Sequence, residues 1–399
     1  MEDHILNKDF SIDLKSRLTN RSKVLTGSIF GEISLLAKKH QAVNLGQGFP
    51  EADGPSWLKN FYIEAIEGAY NQYPPVRGIN LLVNQLTQHY SFFYQRTINP
   101  ENVLVTNGAT EAICLSLLSI VEKDDEVILF TPCYDSYFAN IKFAGGKTVE
   151  LNLIECSFRP QISDVHQLVN KKTKAIVINS PHNPSGSILD SNFLLELADY
   201  CHENKIFLIC DEVYEFLTFD DQKYFSLIAK ISSPYIMIIS SSAKTFDFTG
   251  WKVGWVIANQ FLIDHLSKIH QYFCYSVNTP AQYAIAKGLE QIRTSDYLAL
   301  FKKNYLNKKN LLMDGLSKTP FKIFPVSGTY FILAQLPGSE NLAAYDFVTK
   351  VLIPKYQVAA IPCETFFLNP KSGERIIRFC FAKSEETILS ACHQLQKIN

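Results

Sequence analysis

From about residue 100 to residue 260 the chain alternates two textures. Short runs that are apolar at nearly every position read as strands: Val103–Thr106, Glu126–Phe130, Lys174–Asn179, Ile206–Cys210 and Tyr235–Ile239. Between them lie longer stretches with apolar residues at helical spacing, such as Ala109–Val121 and Phe193–Glu203. A strand that is apolar on both faces must be covered on both, so the alternation predicts an α/β fold with a parallel sheet between helices. Ligands of such sheets sit beyond the carboxyl ends of the strands. The polar residues at or just past those ends are Asn107, Tyr134, Asn183, Asp211 and Lys244, and they are expected to converge.

The flanks differ. Residues 1–22 are polar without clear periodicity and read as a loose arm. Ile29–His40 carries apolar residues at 29, 30, 33, 36 and 37, a helical stripe, and a Gly- and Pro-rich loop, VNLGQGFPEADGP, follows. After about 290, Tyr297–Leu316 reads as a long charged helix, Phe321–Pro325 and Thr329–Gln335 as half-buried strands, Leu342–Val351 as a helix, and Arg375–Phe381 as a strand before a final helix. The expected organisation is an arm over 1–22, a large domain over 45–290, and a smaller α+β domain from 23–44 and 291–399. There is no internal repeat.

Composition narrows the class. The 399 residues, 47% of them apolar, suit two or three domains with substantial cores. With 38 basic and 39 acidic residues no net field draws the chain to nucleic acid or an anionic membrane. No apolar run approaches the roughly 20 residues of a membrane helix, and the start shows no secretory pattern. The nine cysteines are scattered without a C-x-x-C pair, which fits reduced thiols in a cytoplasm rather than a disulfide scaffold or zinc site. The nine histidines show no metal-like spacing, and His182 reads as a loop residue.

Several residues then carry candidate chemistry. Lys244 ends a strand inside SSSAK, where desolvation would lower its pKa and free the amine for a Schiff base. Taken alone, a solvated surface lysine is the simpler reading, and a Ser241–Lys244 catalytic pair a third that lacks its companion motifs. Asp211 closes a buried strand and is either half of a structural ion pair or the counter-ion of a protonated ring nitrogen; Tyr214, three residues on, can aim a phenol at the same place. Asn183 sits between Pro181 and Pro184 in a stiff loop, either aimed or merely turn-forming. Asn107-Gly108-Ala109-Thr110 opens a helix, a phosphate seat or a plain cap, with Lys252 a second phosphate candidate. Tyr134 can stack on a flat ring or fill core. Arg378, in IIRFCF, suggests capture of a carboxylate, with Arg375 its confounder.

Together these groups meet the demands of pyridoxal phosphate chemistry. The stretches NLGQGFP, NQYPPVRG, TNGATEA, PCYDSY, NSPHNPSG, CDEVYE, SSSAKTF, GWKVGW, VNTPAQ and IRFCFAK resemble, in order, the class I/II aminotransferases of fold type I, from about residue 24 to the C-terminus. The likeness is nearest to the methionine, glutamine and kynurenine aminotransferase subgroup, bacterial methionine aminotransferases in particular. It implies a large domain with a mostly parallel seven-stranded sheet between helices, plus a smaller α+β domain.

The likeness also implies roles. Lys244 would hold the cofactor and shuttle the proton between the substrate α carbon and the cofactor. Asp211 would keep the pyridine nitrogen protonated, Asn183 and Tyr214 would bond the ring's phenolic oxygen, and Tyr134 would stack on the ring. Gly108, Ala109, Thr110, Ser241 and Lys252 would hold the phosphate, joined by Tyr73 from the other subunit of a homodimer. Arg378, Asn183 and the backbone near Gly48 would bind the substrate carboxylate, with Phe30 against its side chain. Lys252 stands where many aminotransferases have Arg, as in the subgroup, whereas Phe49-Pro50-Glu51-Ala52 departs from the usual FPDF. The expected activity is amino transfer from methionine, glutamine or an aromatic amino acid, including kynurenine, to a 2-oxo acid by a ping-pong route. A cysteine-conjugate beta-lyase on the same fold is the alternative, and a non-catalytic regulator the remote one.

Overall fold

The computed structural model describes residues 16–23, 27–219 and 224–398. The expected arm therefore lies largely outside the described residues; within it, Asn20–Lys23 forms a short helix. The centre of the molecule is a seven-stranded sheet in the order Val103–Asn107, Val253–Ala258, Ile236–Ser241, Phe207–Asp211, Thr173–Asn179, Glu126–Thr131, Lys147–Asn152. All strands run parallel except Val253–Ala258, which is antiparallel to both neighbours.

The apolar runs explain why this sheet is interior. Side chains alternate across a strand, so Ile128, Phe130, Ile176, Ile178, Leu208, Ile236 and Ile238 enter one core. Val127, Leu129, Val177, Ile209, Met237 and Ile239 enter another on the opposite face. The second core is closed by the helix Gly108–Ile120, whose Ala112, Ile113, Leu115 and Leu117 are buried. The first is closed by Ser191–Asn204, capped by Asp190 accepting from the amides of Asn192 and Phe193, and by Thr279–Thr294.

A third core holds Ile29, Ile33 and Ala37 of the helix Ile29–Lys39 together with Leu45, Val213, Tyr214, Leu217, Phe219 and residues from 301 onward. Its sheet is antiparallel, in the order Ile361–Pro362, Ile376–Cys380, Phe331–Gln335, Lys322–Ile323. Val43–Asn44 pairs in parallel with Val358–Ala359 and ties the chain before the large sheet to the C-terminal region.

Two expectations need correction. The strand at 321–325 shrinks to Lys322–Ile323, since Pro325 has no N–H to extend the ladder. The helix at 342–351 is instead Ala344–Phe347, a widened turn Val348–Leu352, and Ile353–Tyr356. The widened turn makes room for the ring of Pro354, which would otherwise meet a carbonyl one turn earlier.

Candidate active site

The carboxyl ends of the parallel strands open onto a cavity of about 470 Å³ facing the antiparallel sheet. It is lined by Phe30, Gly48, Gly108, Ala109, Thr110, Tyr134, Asn183, Asp211, Tyr214, Ser241, Lys244, Lys252 and Arg378. Those are the residues singled out from the sequence with two exceptions: Tyr73 is 82% exposed, edge-on to Tyr275, and lies outside the cavity, and Asn107, expected to converge with the others, instead turns its side-chain amide to Glu111 and Cys274.

Asp211 ends its strand opposite Asn179 of the next. The Tyr137 hydroxyl donates to its carboxylate at 2.6 Å and the Val213 amide at 3.3 Å. Burial nevertheless pushes its pKa up to about 6, against the pull of those bonds and of Lys244. Lys244 lies on a helical turn capped by the Ser241 hydroxyl, which accepts from the Ala243 amide. Burial pushes its amine down to about 8, and its Nζ donates to the Tyr330 hydroxyl at 2.8 Å.

Across the cavity the helix Gly108–Ile120 begins against Lys252. Gly108 has φ +75°, and a Cβ there would sit 3.1 Å from Lys252 Nζ. Gly254 permits the approach: its Cβ would lie 2.6 Å from the Gly108 carbonyl carbon and 2.7 Å from the Ala109 nitrogen. The helix start thus presents free amides beside an ammonium. Behind it, Glu111 accepts from the Asn107 amide, His270 and the Cys274 thiol. Burial and that carboxylate push Cys274 up to about 12, so it stays a thiol.

Arg378 is fully buried in mid-strand. It donates to Asn183 Oδ1 at 3.0 Å and to the Gly46 carbonyl at 3.3 Å, while its Nε has no partner among the described residues. Its guanidinium lies 4.0 Å from the Phe331 ring centre and 5.2 Å from that of Phe30. A buried cation bonded only to neutral oxygens leaves room for an anion.

Sequence reasoning missed Tyr137, Asn179, Tyr330 and Phe331. Two had a signal. Asn179 is the last residue of its strand, and Tyr137 follows Tyr134 by three, the spacing of one helix face. Phe331 opens a strand of the antiparallel sheet and Tyr330 directly precedes it, and neither had a signal.

These donors fit pyridoxal phosphate. An amide-rich helix start with an ammonium suits its dianionic phosphate, a buried acid its ring nitrogen, and a lysine amine held below its ordinary pKa its aldehyde. When bound, the cofactor supplies an electron sink for negative charge on the substrate α carbon.

Comparison with known proteins gives the same answer. Residues 40–395 match the family "Aminotransferase class I and II". The methionine aminotransferase of Escherichia coli K12 is 35% identical over 373 residues, covering 93% of this chain and 96% of that one. The kynurenine–oxoglutarate transaminase of Dictyostelium discoideum is 36% identical, covering 93% and 94%. Among solved structures, an Escherichia coli protein identified as having a methionine aminotransferase function superposes with a TM-score of 0.90 at 34% identity, over 96% of this chain and 99% of that one. The N-succinyldiaminopimelate aminotransferase of Mycobacterium tuberculosis also gives 0.90, at 34% identity over 96% and 100%. The chain belongs to the class I and II aminotransferases, pyridoxal-phosphate-dependent enzymes of fold type I.

Proposed function

We propose that this chain is a cytoplasmic homodimeric aminotransferase acting on methionine, glutamine or aromatic amino acids, kynurenine included, with a 2-oxo acid as acceptor. The observation that carries the reading is one buried cavity joining Lys244, Asp211 and a buried Arg378 that bonds only neutral oxygens.

In this reading Lys244 anchors the cofactor and moves the proton of the substrate α carbon. Asp211, held by Tyr137, keeps a proton on the ring nitrogen. Asn183 and Tyr214 hydrogen-bond the ring's oxygen, and Tyr134 covers its face. The amides of Gly108, Ala109 and Thr110, with Ser241 and Lys252, take the phosphate. Ser241 would do so by donating its hydroxyl hydrogen, which without the phosphate is turned to the Val253 carbonyl at 3.2 Å. Arg378, Asn183 and the backbone at Gly48 orient the substrate carboxylate and so fix which face of the α carbon meets Lys244.

A preference for uncharged side chains is supported by the Phe30 and Phe331 rings and by Arg378 being the only arginine among the described residues lining the cavity. The dimer, with Tyr73 reaching the partner's phosphate, is supported by the exposure of Tyr73 and of the neighbouring Tyr272, Phe273 and Tyr275. A large domain over 45–290 and a small one from 23–44 and 291–399 are supported by the two cores that flank the parallel sheet, while the third core also takes in Leu45 and Val213, Tyr214, Leu217 and Phe219 from the large-domain range.

A donor panel tests the activity. Methionine, glutamine, phenylalanine and kynurenine are expected to exceed aspartate in kcat/KM by about tenfold or more. Aspartate as the best donor, or pyruvate and ammonia released from a cysteine conjugate faster than any transfer, would overturn the reading. The phosphate seat has its own test in Gly254→Ala. The added methyl pushes the helix start off its place, and the dissociation constant for pyridoxal phosphate, read by absorbance titration of the apo chain, is expected to rise roughly tenfold or more. Unchanged affinity would remove this helix from the phosphate site.

A further inference from the structure

Tyr330 is fully buried and no sequence motif drew attention to it. Its ring is wedged edge-on to Tyr214 at 5.4 Å and to Phe331 at 4.7 Å and lies nearly parallel to Tyr305. Its carbonyl accepts from the Phe381 amide at 2.9 Å. The hydroxyl is therefore fixed in place by packing. It touches three elements of the proposed site: it donates to the Gly48 carbonyl at 2.9 Å, accepts from Lys244 Nζ at 2.8 Å, and lies within hydrogen-bonding reach of the Tyr214 hydroxyl, which can donate to the same oxygen.

The hydrogen count gives this arrangement a direction. A phenol has one hydrogen, and a carbonyl can only accept. With that hydrogen committed to Gly48, the phenol oxygen offers Lys244 an acceptor and nothing else. A neutral lysine amine has two hydrogens and one lone pair. It must spend a hydrogen on Tyr330, and its lone pair is left free. Were the phenol to donate to the lysine instead, the lone pair would be consumed and the amine could not act as a base.

We propose that Tyr330 is a positioning residue: its hydroxyl, locked by the Gly48 carbonyl, parks the free Lys244 amine with its lone pair available to take the proton of the substrate α carbon. The inference deepens the proposed reading and rests on Lys244 being the reactive amine. It also ties the base to the loop at Gly48, where the substrate carboxylate is proposed to bind.

Other groups bear on the same amine. Asp211 and Asp247 face it with negative charge, Arg378 and Lys252 with positive, and Tyr214 and Cys380 as neutral neighbours. The hydrogen bond from a protonated amine to a phenol is stronger than that from a neutral one, so Tyr330 raises the pKa of Lys244 and its removal lowers it.

The test begins with borohydride trapping of the holoenzyme, which must label Lys244; failure there sinks the reading itself. Given that label, Tyr330→Phe keeps the ring and removes the hydroxyl. In the apo chain the pH midpoint for modification of Lys244 by trinitrobenzenesulfonate is expected to fall by about one pH unit. In the holoenzyme kcat is expected to fall roughly tenfold to a hundredfold, with KM within about threefold and a larger isotope effect for substrate deuterated at the α carbon. The acid limb of the kcat profile moves down with the midpoint. An unchanged midpoint and isotope effect overturn the proposal. Should the Phe variant not fold, tyrosines bearing one, two or three ring fluorines at position 330 keep the hydroxyl while weakening it stepwise as an acceptor. The Lys244 midpoint then falls along the series, and a flat series overturns the proposal.

Discussion

Lys244→Ala is expected to lower amino transfer by at least about ten-thousand-fold while leaving a folded chain that still takes up pyridoxal phosphate. The two parts have separate causes. The proposed phosphate seat, the amides at Gly108–Thr110 and the side chain of Lys252, does not depend on position 244. The α-carbon proton, by contrast, has no other free taker among the described residues of the cavity once Lys252 is given to the phosphate, as proposed, and Tyr134 to the ring face. Arg378 is a permanent cation, and burial pushes the Tyr214 phenol far above its ordinary pKa. The Asp211 carboxylate already accepts from Tyr137 and is the proposed ring-nitrogen partner. The packing cost is small, since the lost side chain lines an existing cavity and leaves no sealed void. Borohydride reduction and peptide mapping check the assignment: the unmutated enzyme carries the cofactor on Lys244, and the variant carries none. Activity within tenfold of normal in the variant would end the proposed mechanism.

The cavity was legible in the sequence to the extent that its residues close buried parallel strands. Asp211 and Lys244 stand out because five apolar residues precede one and a strand of the same kind precedes the other, and a polar group there must face the carboxyl edge. Asn179 obeys the same rule and was passed over because the more conspicuous Asn183 follows it in a Pro-bounded loop. The strand Val253–Ala258 escaped for a different reason. Its segment is marked by Gly254 and two tryptophans, and only the pairing to Val103–Asn107 and Ile236–Ser241 shows that it runs against the rest. At the sheet edge, Lys147–Asn152 alternates polar and apolar residues, a weaker pattern than the interior strands. Tyr330 was invisible in principle. It meets Lys244 across 86 residues of chain, from the position just before a strand of the antiparallel sheet, and nothing local to GTYF distinguishes a tyrosine that bonds a lysine from one that fills a core.

Asp211→Asn is expected to separate stability from function at a single atom. Catalysis falls roughly a thousandfold or more, because an amide cannot hold a proton on the ring nitrogen and the electron withdrawal at the α carbon is lost. The apo chain, however, becomes more stable at neutral pH. The carboxyl of Asp211 rises from 3.8 to about 6 on folding, chiefly through burial, so the folded state favours the protonated form. Its contribution is fully present below about pH 4 and is lost as the pH climbs through 6. Above that, the buried charge costs about 3 kcal/mol. Asparagine is uncharged at every pH, has nearly the same volume, and still accepts from the Tyr137 hydroxyl, giving up only the longer bond from the Val213 amide, which a protonated carboxyl also weakens. The urea midpoint of the apo variant is therefore expected to match the unmutated chain at pH 4 and to exceed it at pH 8. Adding pyridoxal phosphate reverses the order, since only the carboxylate gains a positive partner. A variant that is equally stable at both pH values, or that keeps its activity, would show that the carboxylate is balanced by the protein and not by the cofactor.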